Sequence, residues 1–504
     1  MTDKIYDLLI IGGGINGAAI ARDAAGRGLS VLLCEKGDLA GETSSASSKL
    51  VHGGLRYLEH MEFRLVREAL QEREILLKSA PHIIWPLRIV LPHDKGLRPA
   101  WLLRLGLFIY DHLGTRKILP GTKTVKLSKA PHAGILQNRL TKGFEFSDCW
   151  ADDARLVALN ALDAHAKGAQ IRTRTECTAL HREEGLWTAT LMQPGGTAQT
   201  IRARIAVNAA GMMVDNILDR ALPGDGRQNL RLVKGSHIVT RKLYDGDHLY
   251  MFQNADERIV FAIPYENDFT LIGTTDAPYK LSDGEVKISE AETDYLCDVA
   301  SEYFKQPVTR GDIVWTYAGV RPLYDDKSDN ASTVTRDYVF DLNTRDSETD
   351  GEGAPLLSIF GGKITTCRRL AEHAMQKLGV YLDDGGEPWT SEAHLPGGHI
   401  PNADFDAFFA EVQTGYPWMN PAHLERMAHC YGTRLHAVIG NCTSAGQLGQ
   451  YFGAGLYEAE ARYLMAHEWA RHAEDILWRR TKCGLHMDDE EIAVFERWVA
   501  GAES

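Results

Sequence analysis

Two short runs place an imidazole and a guanidinium at the ends of strand-like stretches. Lys234-Gly-Ser-His237 opens one stretch and Gly319-Val-Arg-Pro-Leu323 closes another, so His237 and Arg321 are candidate reactive groups. Imidazole titrates near neutrality and can accept a hydroxyl proton, which makes His237 a candidate general base. A lone histidine is nevertheless more often structural. Arginine stays protonated at every ordinary pH, so Arg321 is suited to anchoring and charge stabilisation and not to proton removal. Arg56, Tyr57, Arg336 and Lys363 extend the set as candidate substrate-binding residues. If these cations converge they bind an anionic substrate, with the arginine fork matched to phosphate or carboxylate. Taken singly, each is an ordinary surface ion-pair partner. Asp276 in Gly273-Thr-Thr-Asp276 would orient one of the cations or cap a turn.

A second group of residues has the types and spacing needed to hold a nucleotide. Gly12, Gly14 and Gly17 follow an apolar run, Asp7–Ile11, and precede a helix-like stretch. In that context Gly12 permits a tight turn, Gly14 lets the backbone approach a pyrophosphate, and Gly17 lets the helix pack on the strand. The pyrophosphate would rest on the helix N-terminus, where unpaired N–H groups and the helix dipole favour anions. Glu35, 18 residues beyond Gly17, ends the next strand where a ribose-binding carboxylate belongs, with Lys36 beside it. The run Thr43–Tyr57 adds Thr43, Ser44, Ser45, Ser47, Lys49 and Gly53 as candidate cofactor contacts. Such a loop can wrap a pyrophosphate and set Arg56 and Tyr57 beside a flat ring. Asn208-Ala-Ala-Gly211 and Gly361-Gly-Lys-Ile-Thr365 supply two further strand-to-loop turns, bringing Gly211, Gly361, Gly362, Lys363, Ile364 and Thr365 into the same group.

The elements that must position these residues follow from periodicity. The first 80 residues read as β-α-β, a polar loop and a helix near Phe63–Ser79. A Pro-, His- and Trp-rich segment to Phe144 fits no α/β repeat. A helix at Asp153–Ala166 and a strand at Ala169–Thr173 resume the α/β pattern, and strand-like runs dominate from Leu230 to Tyr324. Asn343–Pro355 reads as an exposed acidic loop, and Tyr457–Arg480 as one long amphipathic helix. Leu97–Tyr110, rich in Trp, Leu and Phe with Arg98 and Arg104, is either an interfacial segment or a buried helix. The basic residues Arg471, Arg479, Arg480 and Lys482 are a second candidate for facing anionic lipid.

A chain of 504 residues exceeds one simple core, so two or three domains are expected. A hydrophobic content of 44% and a charged content of 24% are those of a globular protein. The net charge of −13 gives no support to a nucleic-acid partner. Eight scattered cysteines without a C-x-x-C pair suggest reduced thiols and no metal site. A strand begins within a few residues of Met1, which leaves no room for a leader, and no uncharged apolar stretch reaches 18 residues.

Taken together, these motifs resemble the bacterial aerobic FAD-dependent glycerol-3-phosphate dehydrogenases, over nearly the whole chain. The match includes Ile11–Gly17, Ala24–Gly28, Thr43–Leu58, Phe146–Trp150, Lys234–His237, Gly273–Asp276, Trp315–Leu323 and Phe360–Thr366. The resemblance implies an α/β (α+β overall) fold with a glutathione-reductase-like Rossmann FAD domain at 1–80, 145–229 and 325–385. It also implies a β-rich substrate domain at 81–144 and 230–324 and a helical C-terminal domain at 390–504. The implied reaction is oxidation of sn-glycerol 3-phosphate to dihydroxyacetone phosphate, with electrons passing through FAD to membrane quinone. Arg56, Arg321, Arg336 and Lys363 would fix the substrate phosphate, and His237 would take the C2 hydroxyl proton. A homodimer in the cytoplasm, bound peripherally to the inner face of the membrane, is expected. Three positions depart from the family pattern, with Ala19 for Gly, Met213 for Trp and Cys367 for Tyr, and none removes a group this chemistry needs. A glycerol-phosphate oxidase, another flavoenzyme for an α-hydroxy or amino acid, and a flavin-binding protein without turnover remain the competing readings.

Overall fold

Seven residues of strand, Ile5–Ile11, lie at the centre of the first of two large sheets. The computed structural model describes residues 4–94, 98–114, 116–224, 228–325, 337–345, 351–383 and 385–502. In the first sheet, strands Glu352–Phe360, Ala198–Asn208, Ile5–Ile11, Val31–Cys34 and Gln170–Arg172 lie side by side and parallel, and Val339–Arg345 is an antiparallel edge. Val31–Cys34 is buried at every position, as a parallel strand covered on both faces must be. One face is covered by helix Ile15–Gly26, whose Ala18, Ala21, Ala24 and Ala25 are small enough for close approach. Helix Asp153–Ala166 belongs to the same core, capped by the Asp152 carboxylate accepting from the Arg155 N–H at 3.0 Å. Ala19 is buried in this packing and Cys367 starts the helix Cys367–Leu378, where burial pushes its thiol up to about 12.

The second sheet has ten strands, antiparallel except where His248–Gln253 runs parallel to Ile84–His93. Strand Leu230–Arg241 sits inside it, with Phe269–Gly273 on one side and the long strand Ile313–Tyr324 on the other. Strand Lys142–Ala151 also lies in this sheet, paired along its whole length with Ile84–His93. The division expected at 144/145 therefore falls inside a continuous strand, and the sheet carries the chain on to Ala151.

A third apolar cluster lies wholly within residues 400–499. The expected single helix over Tyr457–Arg480 is instead two pieces, Glu458–His467 and a π-turn Asp475–Arg480. Trp469 turns the chain at a φ of 58°, and the Asp475 carboxylate accepts from the Arg471 and His472 N–H groups at 2.7 and 2.8 Å, capping a fresh start. The segment expected as a loop at Asn343–Pro355 is, in its described part, the two arms of a hairpin. Arg182 ties those arms down by donating to the carbonyls of Asn343, Arg345 and Ala354.

Helix Ala100–Leu113 is two-faced. Leu107 and Tyr110 are buried, while Trp101, Leu105 and Phe108 are 69%, 48% and 52% exposed at helical spacing. The adjoining turn and helix leave Met61 and Phe63 exposed as well. Arg479, Arg480 and Lys482 do not face solvent. They are buried in ion pairs with Asp38 and Asp152, which rules them out as lipid contacts. No helix among the described residues is long and apolar enough to cross a membrane.

Candidate active site

Two adjoining cavities, of about 130 and 230 Å³, lie beside the first glycine turn; the first is lined by the first sheet and its connections, and the second also by strands of the second sheet. Both are lined by Thr43 and Ser44, which lie over the start of helix Ile15–Gly26. The Ser44 Oγ accepts from the Ile15 N–H at 3.0 Å, so the loop and the helix N-terminus form one unit. Gly12, at a φ of +114°, takes a conformation that side chains disfavour, and a Cβ there would lie 2.4 Å from the Ala209 carbonyl oxygen. A Cβ on Gly17 would lie 2.0 Å from the Gly12 oxygen, so the turn and the helix can close only with glycine at that position.

The first cavity is lined by Gly12, Gly14, Glu35, Lys36, Gly211, Met213 and Arg220. The Glu35 carboxylate accepts from the Gly13 and Gly37 N–H groups, both at 2.7 Å, which fixes its direction beside the cavity. Burial raises its pKa despite those two donors. The second cavity gathers Ser47, Tyr57, His237, Arg321, Gly361, Gly362, Lys363, Ile364 and Thr365. Asn16 donates to the Gly361 carbonyl at 3.1 Å, so the second glycine-rich turn is brought against the first helix as the sequence suggested.

Cross-strand register explains the rest of the second cavity. Gly235 pairs with Gly319, His237 with Tyr317 and Val233 with Arg321. Side chains on one sheet face recur every second residue, so a bare glycine row separates His237 from Arg321. Arg321 leans across this row, since a Cβ on Gly235 would lie 2.5 Å from its Nη2. Asp276 holds Arg321 by accepting from Nη1 at 2.6 Å, and the Thr274 hydroxyl accepts from Nη2 at 2.9 Å. Behind them Glu292 accepts from the hydroxyls of Ser236 and Thr275 at 2.9 and 2.7 Å and pairs with Lys234 at 2.9 Å. His237 is 1% exposed. Its Nε2 lies 2.9 Å from the Ser48 Oγ, and its Nδ1 has no hydrogen-bond partner among the described residues. Burial, then the cations Arg321 and Lys49, push its pKa well below the usual imidazole value. Lys363 Nζ stands 3.5 Å over the Tyr57 ring.

Five sequence candidates line neither cavity, of which Gly17 serves in the helix packing described above. Lys49 is buried against Asp153 at 2.6 Å and donates to the Ser45 carbonyl, so Lys49 and Ser45 shape the loop from behind. Gly53 is packed under Tyr110, donating to its hydroxyl at 2.8 Å. Arg56 shares a 3₁₀ turn with Tyr57, and adjacent residues on such a turn point about 120° apart, so only Tyr57 faces inward. Arg336 lies outside the described residues. Conversely, Ser48, Tyr317, Thr274 and Phe261 border the site without having been singled out. Ser48 lay inside the hydroxyl-rich run, Thr274 inside Gly273–Asp276 and Tyr317 inside Trp315–Leu323, whereas Phe261 carried no signal.

The cradle matches the cofactor-binding part of a large family. The family model "FAD dependent oxidoreductase" matches residues 7–347, and the model "C-terminal domain of alpha-glycerophosphate oxidase" matches residues 388–500. The chain belongs to the FAD-dependent oxidoreductases. It is 52% identical to a D-erythritol 1-phosphate dehydrogenase of Brucella abortus over 98% of both chains. It is 49% identical to the aerobic glycerol-3-phosphate dehydrogenase of Escherichia coli, over 98% of this chain and 97% of that one. Among solved structures, the glycerol-3-phosphate dehydrogenase of Bacillus halodurans complexed with FAD superposes with a TM-score of 0.75 at 24% identity, covering 99% of this chain and 95% of that one. An L-alpha-glycerophosphate oxidase from Mycoplasma pneumoniae, also with FAD, covers 78% of this chain and 99% of its own, with a TM-score of 0.61 at 19% identity. FAD is thus the cofactor of this oxidoreductase, and the residues present fit it. The helix N-terminus and the glycines that a Cβ would block suit a pyrophosphate, and Glu35 stands beside the first cavity, where a ribose-binding carboxylate belongs.

Proposed function

We propose that this enzyme oxidises the C2 alcohol of sn-glycerol 3-phosphate to dihydroxyacetone phosphate, with FAD as first acceptor and a membrane quinone as the next. The observation carrying this reading is the placement of His237 and Arg321 on either side of the glycine row, with Lys363 lining the same cavity. Bound FAD supplies the acceptor for the hydride that leaves C2. Arg321, held in direction by Asp276 and Thr274, and Lys363 take the phosphate. His237, uncharged at neutral pH, accepts the hydroxyl proton as the C–H electron pair departs, leaving a carbonyl.

A second reading is supported by the Brucella relative, whose name specifies a four-carbon polyol phosphate. D-Erythritol 1-phosphate offers the same phosphate and a secondary alcohol, so the same residues would serve. Comparing kcat/KM for the two compounds under anaerobic conditions with a quinone analogue separates them. Glycerol 3-phosphate is expected to be favoured by about tenfold or more, the scale on which one added carbon is discriminated. A reversed preference would establish the erythritol reading. Stoichiometric peroxide during turnover in air would replace quinone with oxygen as acceptor.

Access to a quinone requires contact with a lipid surface. The exposed Trp101, Leu105 and Phe108, flanked by Arg104, support helix Ala100–Leu113 as the part that lies in the interface. Replacing all three with Ser is expected to abolish co-sedimentation with anionic vesicles while leaving flavin reduction by substrate intact. Undiminished vesicle binding by that variant would remove the helix from this role.

A further inference from the structure

A line of contacting rings, stacked at both ends and tilted by 45° in the middle, leads from His237 out of the cavity and into the C-terminal helical region. His237 stacks on Tyr317, its cross-strand partner, with centroids 4.7 Å apart and planes 18° from parallel. Tyr317 rests against Trp315, two residues away on the same strand, at 5.2 Å. Trp315 stacks on Trp478 at 4.9 Å and 16°. Trp478 is carried by the π-turn Asp475–Arg480, an uncommon element often found near functional sites. That turn is fixed to the nucleotide-binding part by Arg479 and Arg480 on Asp38 and by Arg174 on Asp475.

The bare Gly273 backbone packs against the other side of the imidazole, where a Cβ would lie 2.1 Å from Cδ2, and few polar groups direct the ring. Ser48 meets Nε2, the cations Arg321 and Lys49 lie close enough to depress its charge, and Nδ1 has no partner among the described residues. Tyr317 also governs Ser48, because its hydroxyl donates to the neighbouring Ser47 carbonyl at 2.7 Å. The ring and the loop that direct His237 therefore share one residue, and that residue is backed by Trp315 and Trp478.

We propose that Trp478 is a positioning residue which, through Trp315 and Tyr317, holds the His237 imidazole in the orientation needed for proton removal. The C-terminal region thereby becomes part of the catalytic architecture. Stacked aromatic pairs contribute modest energy but restrict ring geometry, and proton transfer is sensitive to small misplacements of the base. The proposal rests on the reading of His237 as base, and the test keeps the two separable.

The test uses Trp478→Ala and Trp478→Phe in the full-length, FAD-loaded enzyme. In Trp478→Ala the rate of flavin reduction at saturating substrate is expected to fall about tenfold, with substrate affinity and FAD content retained. The Phe variant is expected to recover most of the rate. A readout independent of turnover comes from ¹⁵N-histidine spectra of the oxidised, FAD-loaded enzyme without substrate, with the His237 signal assigned by its loss in His237→Gln. In the parent this ring stays neutral below pH 6.5, whereas in Trp478→Ala its titration moves up. A parental rate together with an unmoved His237 signal in Trp478→Ala would overturn the proposal, as would a Phe variant as slow as the Ala variant. Should Trp478→Ala fail to fold, Trp315→Phe keeps a ring but thins the stack. An intermediate rate there supports the coupling and a parental one contradicts it. If His237→Gln reduces flavin at the parental rate, the base assignment fails, and the His237 spectra still decide the coupling.

Discussion

His237 combines deep burial with two nearby cations, and both disfavour the imidazolium. The ring is consequently neutral and able to accept a proton well below the pH at which free imidazole is half charged. A group with a lowered pKa loses its basic form only as pH falls through that lowered value. The rate of flavin reduction in the reductive half-reaction is therefore expected to be level from pH 8 down through 6.5, and an inflection at or above 6.5 would contradict this assignment. His237→Ala should slow that step by about 10²–10⁴-fold with little change in substrate affinity. Equal losses in both would make the residue structural. Arg321→Lys should behave oppositely, weakening substrate binding about tenfold or more because the forked contact and the Asp276 support are both lost. His237 and Arg321 were legible in the sequence because each stands two residues from a glycine in a strand-like run, although the structure places His237 inside strand Leu230–Arg241 and not at its start. Lys49 and Gly53 misled because their partners, Asp153 and Tyr110, lie 104 and 57 residues further along the chain. A hydroxyl-rich loop in the sequence does not say which of its residues face outward.

Among the elements, the turn between Ile5–Ile11 and Ile15–Gly26 does the most to define the cofactor cradle. Gly12→Ala would force a side chain into the left-handed region and against the Ala209 carbonyl. It is expected to yield protein that no longer retains flavin, measured by absorbance after gel filtration. The helix Glu290–Tyr303 contributes differently, through Glu292 beneath Ser236 of strand Leu230–Arg241 and Thr275 just past strand Phe269–Gly273. Burial works to raise the Glu292 pKa, but donors from Thr275, Lys234 and Ser289 outweigh it and hold the carboxyl at about 2. Because the folded value lies below the ordinary 4.5, this stabilisation is complete above that pH and fades as pH falls towards 2. A melting temperature that drops between pH 4.5 and 2, and drops less in Glu292→Gln, is the expected signature. Helices Phe63–Ser79 and Asp153–Ala166 were read from the sequence with their observed bounds, since an apolar stripe marks the first and the Asp152 cap starts the second. The break at Trp469 was not readable, because the cap at Asp475 interrupts a helical pattern that continues on both sides of it.

Across the whole molecule, buried charge joins the C-terminal helices to the rest. Arg155 pairs with Glu468, Lys482 with Asp152, and Asp38 accepts from both Arg479 and Arg480. Leaving such charges unpaired is costly, so Asp38→Ala is expected to lower unfolding stability by about 3–5 kcal/mol in denaturant titrations. These pairs span hundreds of residues, and the sequence offered Arg479, Arg480 and Lys482 only as a basic run that suggested a surface. The FAD-binding part was recoverable because its glycines answer to near neighbours, whereas the docking of the third region answers to distant ones. Hydride transfer from glycerol 3-phosphate to FAD is read without interference from the second acceptor by anaerobic stopped-flow. Mixing the purified holoenzyme with glycerol 3-phosphate should bleach the oxidised flavin absorbance in a single rapid phase, slowed at least a hundredfold in His237→Ala. An oxidised spectrum left unchanged by glycerol 3-phosphate would contradict the account.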